Sequence, residues 1–274
     1  MTTHLKFLLT LLLIVTASRL SAEETTASKL EKDIPYRSET GLDDYAKRQC
    51  RVDIFTPAKK GFATVVWFHG GGLEGGDKKI PDYLMHNGYA VVSANYRHSP
   101  HVKAPVYLED AAAAVAWTFA NIEKYGGDPD KIFVSGHSAG GYLTSMLVLD
   151  KRWLKPHGID PNDLAGAIPH SGQTLTHFTI RKERGLGRET GVADDLAPLH
   201  HVRQDTPPLL LTTGDRDLEI AFRYEENALL FKMLESIKHP DVELYELQGF
   251  DHGNMVQPGV LLMTKFINKH TKDD

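Results

Sequence analysis

The 274 residues contain one cysteine, Cys50, so no disulfide can close within the chain and no cysteine-based zinc cluster can form. Long apolar runs are missing too. The longest, the almost unbroken Phe7 to Ala17, has 11 residues, too few for a stable membrane-spanning helix. Basic residues never gather beyond a few at a time, and 31 Lys+Arg against 36 Asp+Glu give a formal charge of −5. Non-specific nucleic-acid binding therefore lacks its electrostatic footprint. Internal repeats, low-complexity tracts and dividing linkers are absent as well. What is present is 41% hydrophobic and 24% charged residues, with 23 Gly and 14 Pro spread throughout. That composition excludes a disordered chain, a collagen-like repeat and a coiled coil. The length suits one large α/β domain with an ample core.

The amino terminus reads as an address rather than as part of the fold. Lys6 supplies a short basic region, Phe7 to Ala17 the apolar stretch, and Leu20-Ser21-Ala22 a cleavage site. Polar Glu23-Glu24-Thr25-Thr26 follows, which argues against a buried core helix. Residues 1–22 are thus expected to be a signal peptide, and 23–274 a single domain exported to the periplasm or the medium.

Residues 23–46 are polar and expected to wrap the surface. Cys50, Val52 and Ile54 alternate with polar neighbours, a half-buried strand stopped by Pro57. Short apolar runs then predict strands at 63–68, 90–94, 132–135, 165–168, 209–212 and 242–247. Helical patterns fill the gaps at 108–125, 140–149, 220–237 and 260–270. Strands alternating with helices imply right-handed crossovers and a mostly parallel sheet covered on both faces. One long irregular segment, 172–207, interrupts the pattern; in a parallel sheet it would overhang the C-terminal strand ends, where ligands bind.

Gly136-His137-Ser138-Ala139-Gly140 fits G-x-S-x-G between an apolar strand and a helical pattern. The glycines allow a sharp strand-to-helix turn that lifts the Ser138 hydroxyl above the sheet. His69-Gly70-Gly71-Gly72 follows the strand at 63–68, and its glycines let backbone amides approach the negative oxygen that acyl transfer creates. No Lys-Ser/Thr or G-x-G-x-x-G accompanies this turn, which disfavours a phosphate cradle. A nucleophilic serine needs a base and an orienting acid. Asp217 and His252 each stand just past a predicted strand end, and the chain order Ser138, Asp217, His252 suits an α/β-hydrolase scaffold. Asp215, closer to the turn, is expected to cap its backbone instead.

Several other residues take plainer readings. His98 and His101, like His200 and His201, lack a third ligand at metal spacing and are expected to be solvated loop histidines. Ser171 ends a strand without an elbow glycine and is expected to line the pocket. Glu109 and Asp110 open a helix, where acids suit the macrodipole.

Taken together, Val65 to Gly72, Asn95-Tyr96-Arg97, Glu109-Asp110-Ala111-Ala112, Gly126-Gly127-Asp128-Pro129 and Gly136 to Gly141 resemble the esterase/lipase branch of the α/β-hydrolase superfamily. Within it, the chain is similar to small exported carboxylesterases of the acetylxylan/feruloyl esterase-like group. That group in turn resembles the kynurenine formamidases, which share a turn like His69-Gly70-Gly71 followed by Gly76-Asp77-Lys78. The resemblance implies Ser138 as nucleophile, Asp217 as acid, His252 as base, and oxyanion donors at the amides of Gly71, Gly72 and Ala139. It implies no metal and no organic cofactor. A small-molecule or carbohydrate ester is the expected substrate, with a short acyl group because the charged 172–207 segment suits a wet rim. An amidase, formamidase or peptidase would use the same residues, and a non-catalytic binding protein could share the fold.

Overall fold

Strands whose residues are apolar without alternation need cover on both faces, and the sheet of this protein receives it. The structure is a computed structural model describing residues 27–188 and 190–272. The expected signal peptide, residues 1–22, lies outside the described residues. Eight strands form one sheet: β1 (Lys29–Pro35), β2 (Arg51–Thr56), β3 (Phe62–Phe68), β4 (Ala90–Ala94), β5 (Gly127–His137), β6 (Gly166–His170), β7 (Leu209–Gly214) and β8 (Val242–Leu247). Their spatial order is β1-β2-β4-β3-β5-β6-β7-β8. β2 is antiparallel to both of its neighbours, and β4 through β8 run parallel.

All seven residues of β3 are buried, yet they divide by parity. Phe62, Val66 and Phe68 enter one core, while Ala63, Val65 and Trp67 enter the other. The first core is closed by α1 (Asp44–Gln49), α2 (Val106–Asn121), α3 (Ala139–Leu149) and α5 (Arg223–Ser236). On the opposite face α6 (Val256–His270) packs Val260, Met263, Phe266 and Ile267 against Phe133, Ile168 and Leu210. α4 (Phe178–Glu183) is a short helix between β6 and β7.

Two expectations need amending. The polar stretch at 23–46 does not merely wrap the surface: it includes β1, which pairs with β2, and the start of α1. β1 is an edge strand with no buried residue, so hydrophobic patterning carries no trace of it. The 172–207 segment is likewise not wholly irregular, because α4 and a single turn of tight helix at Pro198–His201 lie within it.

The motif residues outside the elbow turn out to brace this frame. Asp110 is fully buried and receives a two-pronged bond from the Arg97 guanidinium, both contacts at 2.7 Å, with Arg37 at 3.0 Å. Bidentate geometry of this kind is the strongest form of carboxylate recognition. Tyr96 donates its hydroxyl to the His69 carbonyl at 2.9 Å, and Asn95 accepts from the Lys78 amide at 2.6 Å. The Asn95-Tyr96-Arg97 strand end thus ties α2 to the glycine turn after β3.

Candidate active site

Ser138 sits between the end of β5 and the start of α3 with φ 57° and ψ −114°. A non-glycine residue at positive φ is costly, and the surrounding contacts hold it there. Gly136 and Gly140 explain why the turn must be flanked by glycine. A Cβ on Gly140 would lie 1.9 Å from the Phe68 carbonyl oxygen, and one on Gly136 would lie 2.6 Å from both that oxygen and the Gly140 carbonyl carbon. The elbow is therefore pressed directly onto the end of β3.

His252, in the loop between β8 and α6, places Nε2 2.9 Å from Ser138 Oγ. Its other nitrogen, Nδ1, lies 2.8 Å from Glu219 Oε2. The acid on the imidazole is thus Glu219, not Asp217. Asp217 is exposed, and its amide donates to Asp215 Oδ1 at 3.0 Å. Asp215 caps the turn as expected, also accepting from the Gly249 amide at 2.8 Å. The turn after β7 carries Asp217 outward, whereas the longer Glu219 side chain folds back beneath it. There Glu219 Oε1 accepts the Gly214 amide at 3.0 Å.

A second serine joins this group. Ser171, just after β6, donates its hydroxyl to Glu219 Oε1 at 2.6 Å, and its Oγ lies 3.0 Å from His252 Nδ1. Glu219 is 1% exposed at its side chain. Burial would raise its carboxyl, but the bonds and charge of His252 together with the Ser171 hydroxyl and Gly214 amide prevail and hold it at about 2. It is a carboxylate throughout the neutral range. Ser171 has φ 47°, and its carbonyl accepts from the buried Arg223 guanidinium. Arg223 pairs with Glu226 at 3.1 Å, and Glu226 receives the Thr174 and Leu175 amides, each at 2.9 Å. The first turn of α5 thereby clamps residues 171–175 in place.

His137, the variable residue of the elbow, donates Nε2–H to the His252 carbonyl at 2.7 Å, and the two rings lie 4.6 Å apart. Burial, followed by the neighbouring His252 ring, pushes His137 down to about 4, so it stays neutral and keeps this bond. Sequence patterning assigned no role to Glu219 or His137; it placed Ser171 in the pocket lining, whereas Ser171 is fully buried on Glu219 and outside the cleft wall. The one available signal is that Thr213 to Glu219 offers three carboxylates rather than one.

The glycine turn lies alongside the elbow, since a Cβ on Gly70 would come within 3.3 Å of Ser138 Cβ. Gly71 (φ 114°) and Gly72 (φ 66°) both require glycine. A Cβ would meet the Gly75 carbonyl oxygen at 2.2 Å in one and the Phe178 ring at 2.9 Å in the other. His69 Nδ1–H donates to the Gly70 carbonyl at 2.7 Å, which orients the peptide carrying the Gly71 amide. Ala139 opens α3, where the first amides have no partner within the helix.

A cleft of about 590 Å³ adjoins this centre. It is linked to the site through Phe178, whose ring meets Gly72, and through Ile220, which follows Glu219; Ser138 itself is not part of its wall. Leu175, Leu199, Phe222 and Leu229 add apolar surface. Of the charges of the 172–207 segment, Arg184 pairs with Asp194 and Lys182 with Glu74, while Arg181 and Arg188 line the cleft. Arg188 lies over the Phe178 ring at 4.5 Å. The cleft wall thus mixes apolar side chains with charged ones, Arg181, Arg188 and Glu225 among them. His98 also departs from expectation. It is buried, and burial lowers it to about 4, while its ring stands edge-on to Tyr96 at 5.0 Å. Among the described residues no group of three His, Cys, Asp or Glu could hold a metal ion.

Comparison with known proteins accords with this geometry. The sequence model of the BD-FAE family matches residues 52–163. A truncated carbohydrate esterase from gut microbiota superimposes with a TM-score of 0.74 at 19% identity, over 90% of this chain and 98% of that one. With sheet order, elbow and superposition in agreement, the fold follows. The chain has the α/β-hydrolase fold. Esterase B of Lactobacillus rhamnosis shares this α/β-hydrolase fold with a TM-score of 0.71 and 20% identity, over 90% of this chain and 87% of that one. Among curated relatives, Esterase LipC of Mycobacterium tuberculosis is 28% identical over 212 residues, 69% of this chain and 52% of its own length. Carboxylesterase 1E of Mus musculus is 32% identical over 185 residues, 59% of this chain and 32% of its own length. The chain thus spans about half or less of the length of the curated relatives it matches.

Proposed function

We propose that this protein is a serine carboxylic-ester hydrolase that works through an acyl-enzyme. The observation that carries the reading is the unbroken run of contacts from Ser138 Oγ through His252 to Glu219, at 2.9 and 2.8 Å. Ser138 Oγ attacks the ester carbonyl as His252 Nε2 takes its proton. Glu219 holds Nδ1–H and stabilises the imidazolium that forms. The carbonyl electrons move onto oxygen, which the amides of Gly71, Gly72 and Ala139 receive. Collapse expels the alcohol, which takes the proton from His252. Water, deprotonated by the same imidazole, then releases the acid and restores Ser138.

The substrate we propose is a water-soluble ester with a short acyl group and a polar alcohol portion such as a sugar. The charged groups about the cleft support it, with Arg184 on Asp194 and Lys182 on Glu74 outside and Arg181 and Arg188 in its wall. The name of one structural neighbour, a carbohydrate esterase, is in keeping with a sugar ester, and Esterase LipC with an ester. Export also belongs to this proposal and rests on the pattern of residues 1–22; sequencing the amino terminus of the released protein tests it.

Labelling by a fluorophosphonate probe is the primary test. Wild type should label at Ser138 and lose the label on Ser138→Ala, whereas a binding protein would not react. Hydrolysis of an ester beside its matched anilide separates esterase from amidase. Across p-nitrophenyl esters, acetate or butyrate should give the highest kcat/KM. An optimum at decanoate would overturn the substrate class while leaving the mechanism intact.

A further inference from the structure

Three residues of α4, Phe178, Thr179 and Lys182, meet two residues of the glycine turn, Gly72 and Glu74. The Phe178 ring packs on Gly72, where a Cβ would stand 2.9 Å from its Cζ. The Thr179 hydroxyl donates to the Gly72 carbonyl, with Thr179 itself fully buried. Lys182 reaches Glu74 at 2.8 Å. Gly72 is the junction of two peptide planes. The first, which carries its own N–H, is held by the Gly71 carbonyl accepting from the Glu74 and Gly75 amides at 3.0 and 3.1 Å. The second, carrying the Gly72 carbonyl, is held by Thr179. A glycine has no side chain to restrict it, so whatever grips both planes fixes the direction of its N–H. α4 is in turn anchored at its first residue, where Gln173 Oε1 accepts the Phe178 amide at 3.0 Å.

We propose that α4 is a strut for the oxyanion hole, with Thr179 the positioning residue that sets the Gly72 amide. This rests on the esterase reading above and deepens it. The 172–207 segment then serves the chemistry from behind the glycine turn and does not act as a cover. Oxyanion stabilisation depends on donors being aimed before charge develops, so a loosened Gly72 weakens transition-state binding more than substrate binding.

The experiment compares Thr179→Val, Thr179→Ser and Thr176→Val. Thr176 lies in the same segment, but its hydroxyl bonds to Asp194 Oδ1 at 2.8 Å. Three readouts are taken: kcat and KM on p-nitrophenyl acetate, stoichiometry of fluorophosphonate labelling, and affinity for a short trifluoromethyl ketone. That ketone adds Ser138 Oγ to its carbonyl carbon, leaving a negative oxygen where the ester's would be and the proton on His252. Thr179→Val should lower kcat by about 10- to 100-fold with KM held within about two-fold, and ketone affinity should fall in parallel. Labelling should remain stoichiometric. Thr179→Ser should restore activity to within about three-fold, and Thr176→Val should stay within about two-fold of wild type. An unchanged kcat, a loss confined to KM, failure of serine to rescue, or an equal loss in Thr176→Val would each overturn the strut. If Thr179→Val does not fold, Thr179→Ala takes its place with the same readouts. A wild type that neither labels nor hydrolyses the ester would instead sink the esterase reading itself.

Discussion

Glu219 Oε2 stands 2.8 Å from His252 Nδ1, while Asp217, two residues earlier, is exposed and bonds its amide to Asp215 Oδ1 at 3.0 Å. The two acids therefore differ in kind. Glu219→Gln should lower turnover by about three orders of magnitude or more, because the imidazole loses both its tautomer and its counter-charge. Asp217→Asn should leave turnover within about two-fold, as an exposed carboxylate off the site contributes little. Steady-state kinetics on the two variants decides it, and the reverse order would return the acid to Asp217.

Ser171 holds the same carboxylate from the other side, at 2.6 Å from Oε1. A hydrogen bond to a charged group is worth about 1.5–3 kcal/mol, which corresponds to roughly 10- to 100-fold if it is felt fully in the transition state. Ser171→Ala should therefore lower kcat within that range while Ser138 still labels stoichiometrically. Loss of labelling would mean that Ser171 supports the fold of the site and not its acid.

Acid should weaken this protein earlier than its carboxylates alone would suggest. Burial lowers His98 and His137 to about 4 and His170 to about 3, from an ordinary 6.5. Below the ordinary value the unfolded chain binds protons that the folded one refuses, so stability falls from about pH 6.5 toward pH 4. Glu219, held at about 2, adds a further loss from about pH 4.5 down toward pH 2. Urea midpoints measured across pH 7.5 to 4 should fall continuously. A flat profile above pH 5 would contradict the buried neutral histidines.

Gly140 should tolerate no side chain. A Cβ there would lie 1.9 Å from the Phe68 carbonyl oxygen, a backbone atom of a central strand that has no room to yield. Gly140→Ala should yield no soluble folded protein. Gly191→Ala, with nothing within 4 Å of the added carbon, should melt close to wild type by circular dichroism.

The central strands were legible because their residues form short apolar runs. β4 spans Ala90–Ala94, the same residues that the apolar run marks out, and β3 and β8 begin within a residue of expectation. The elbow was legible for a different reason, as Gly136 and Gly140 are demanded by contact and not by taste. The acid escaped because a turn has no period. Which of Asp215, Asp217 and Glu219 reaches His252 depends on the turn's path and on one methylene of side-chain length. Ser171 and His137 escaped because their roles exist only after β5, β6 and the His252 loop are brought side by side. β1 escaped because an edge strand with an exposed face need not be hydrophobic at all.

That edge strand has a consequence for life at high concentration. β2 is apolar at Val52, Ile54 and Phe55 and buried from Val52 to Thr56, and β1 occupies its outer ladder. Lys29, Glu31, Lys32 and Asp33 load β1 with charge, its register slips between Glu31 and Ile34, and Pro35 ends it without an amide to offer. Charge, a bulge and proline are the devices by which a sheet margin refuses a neighbouring chain. A protein trimmed past Pro35 would present β2's ladder bare to the next molecule, and its failure would be seen as precipitation and fibre growth long before any loss of chemistry at Ser138.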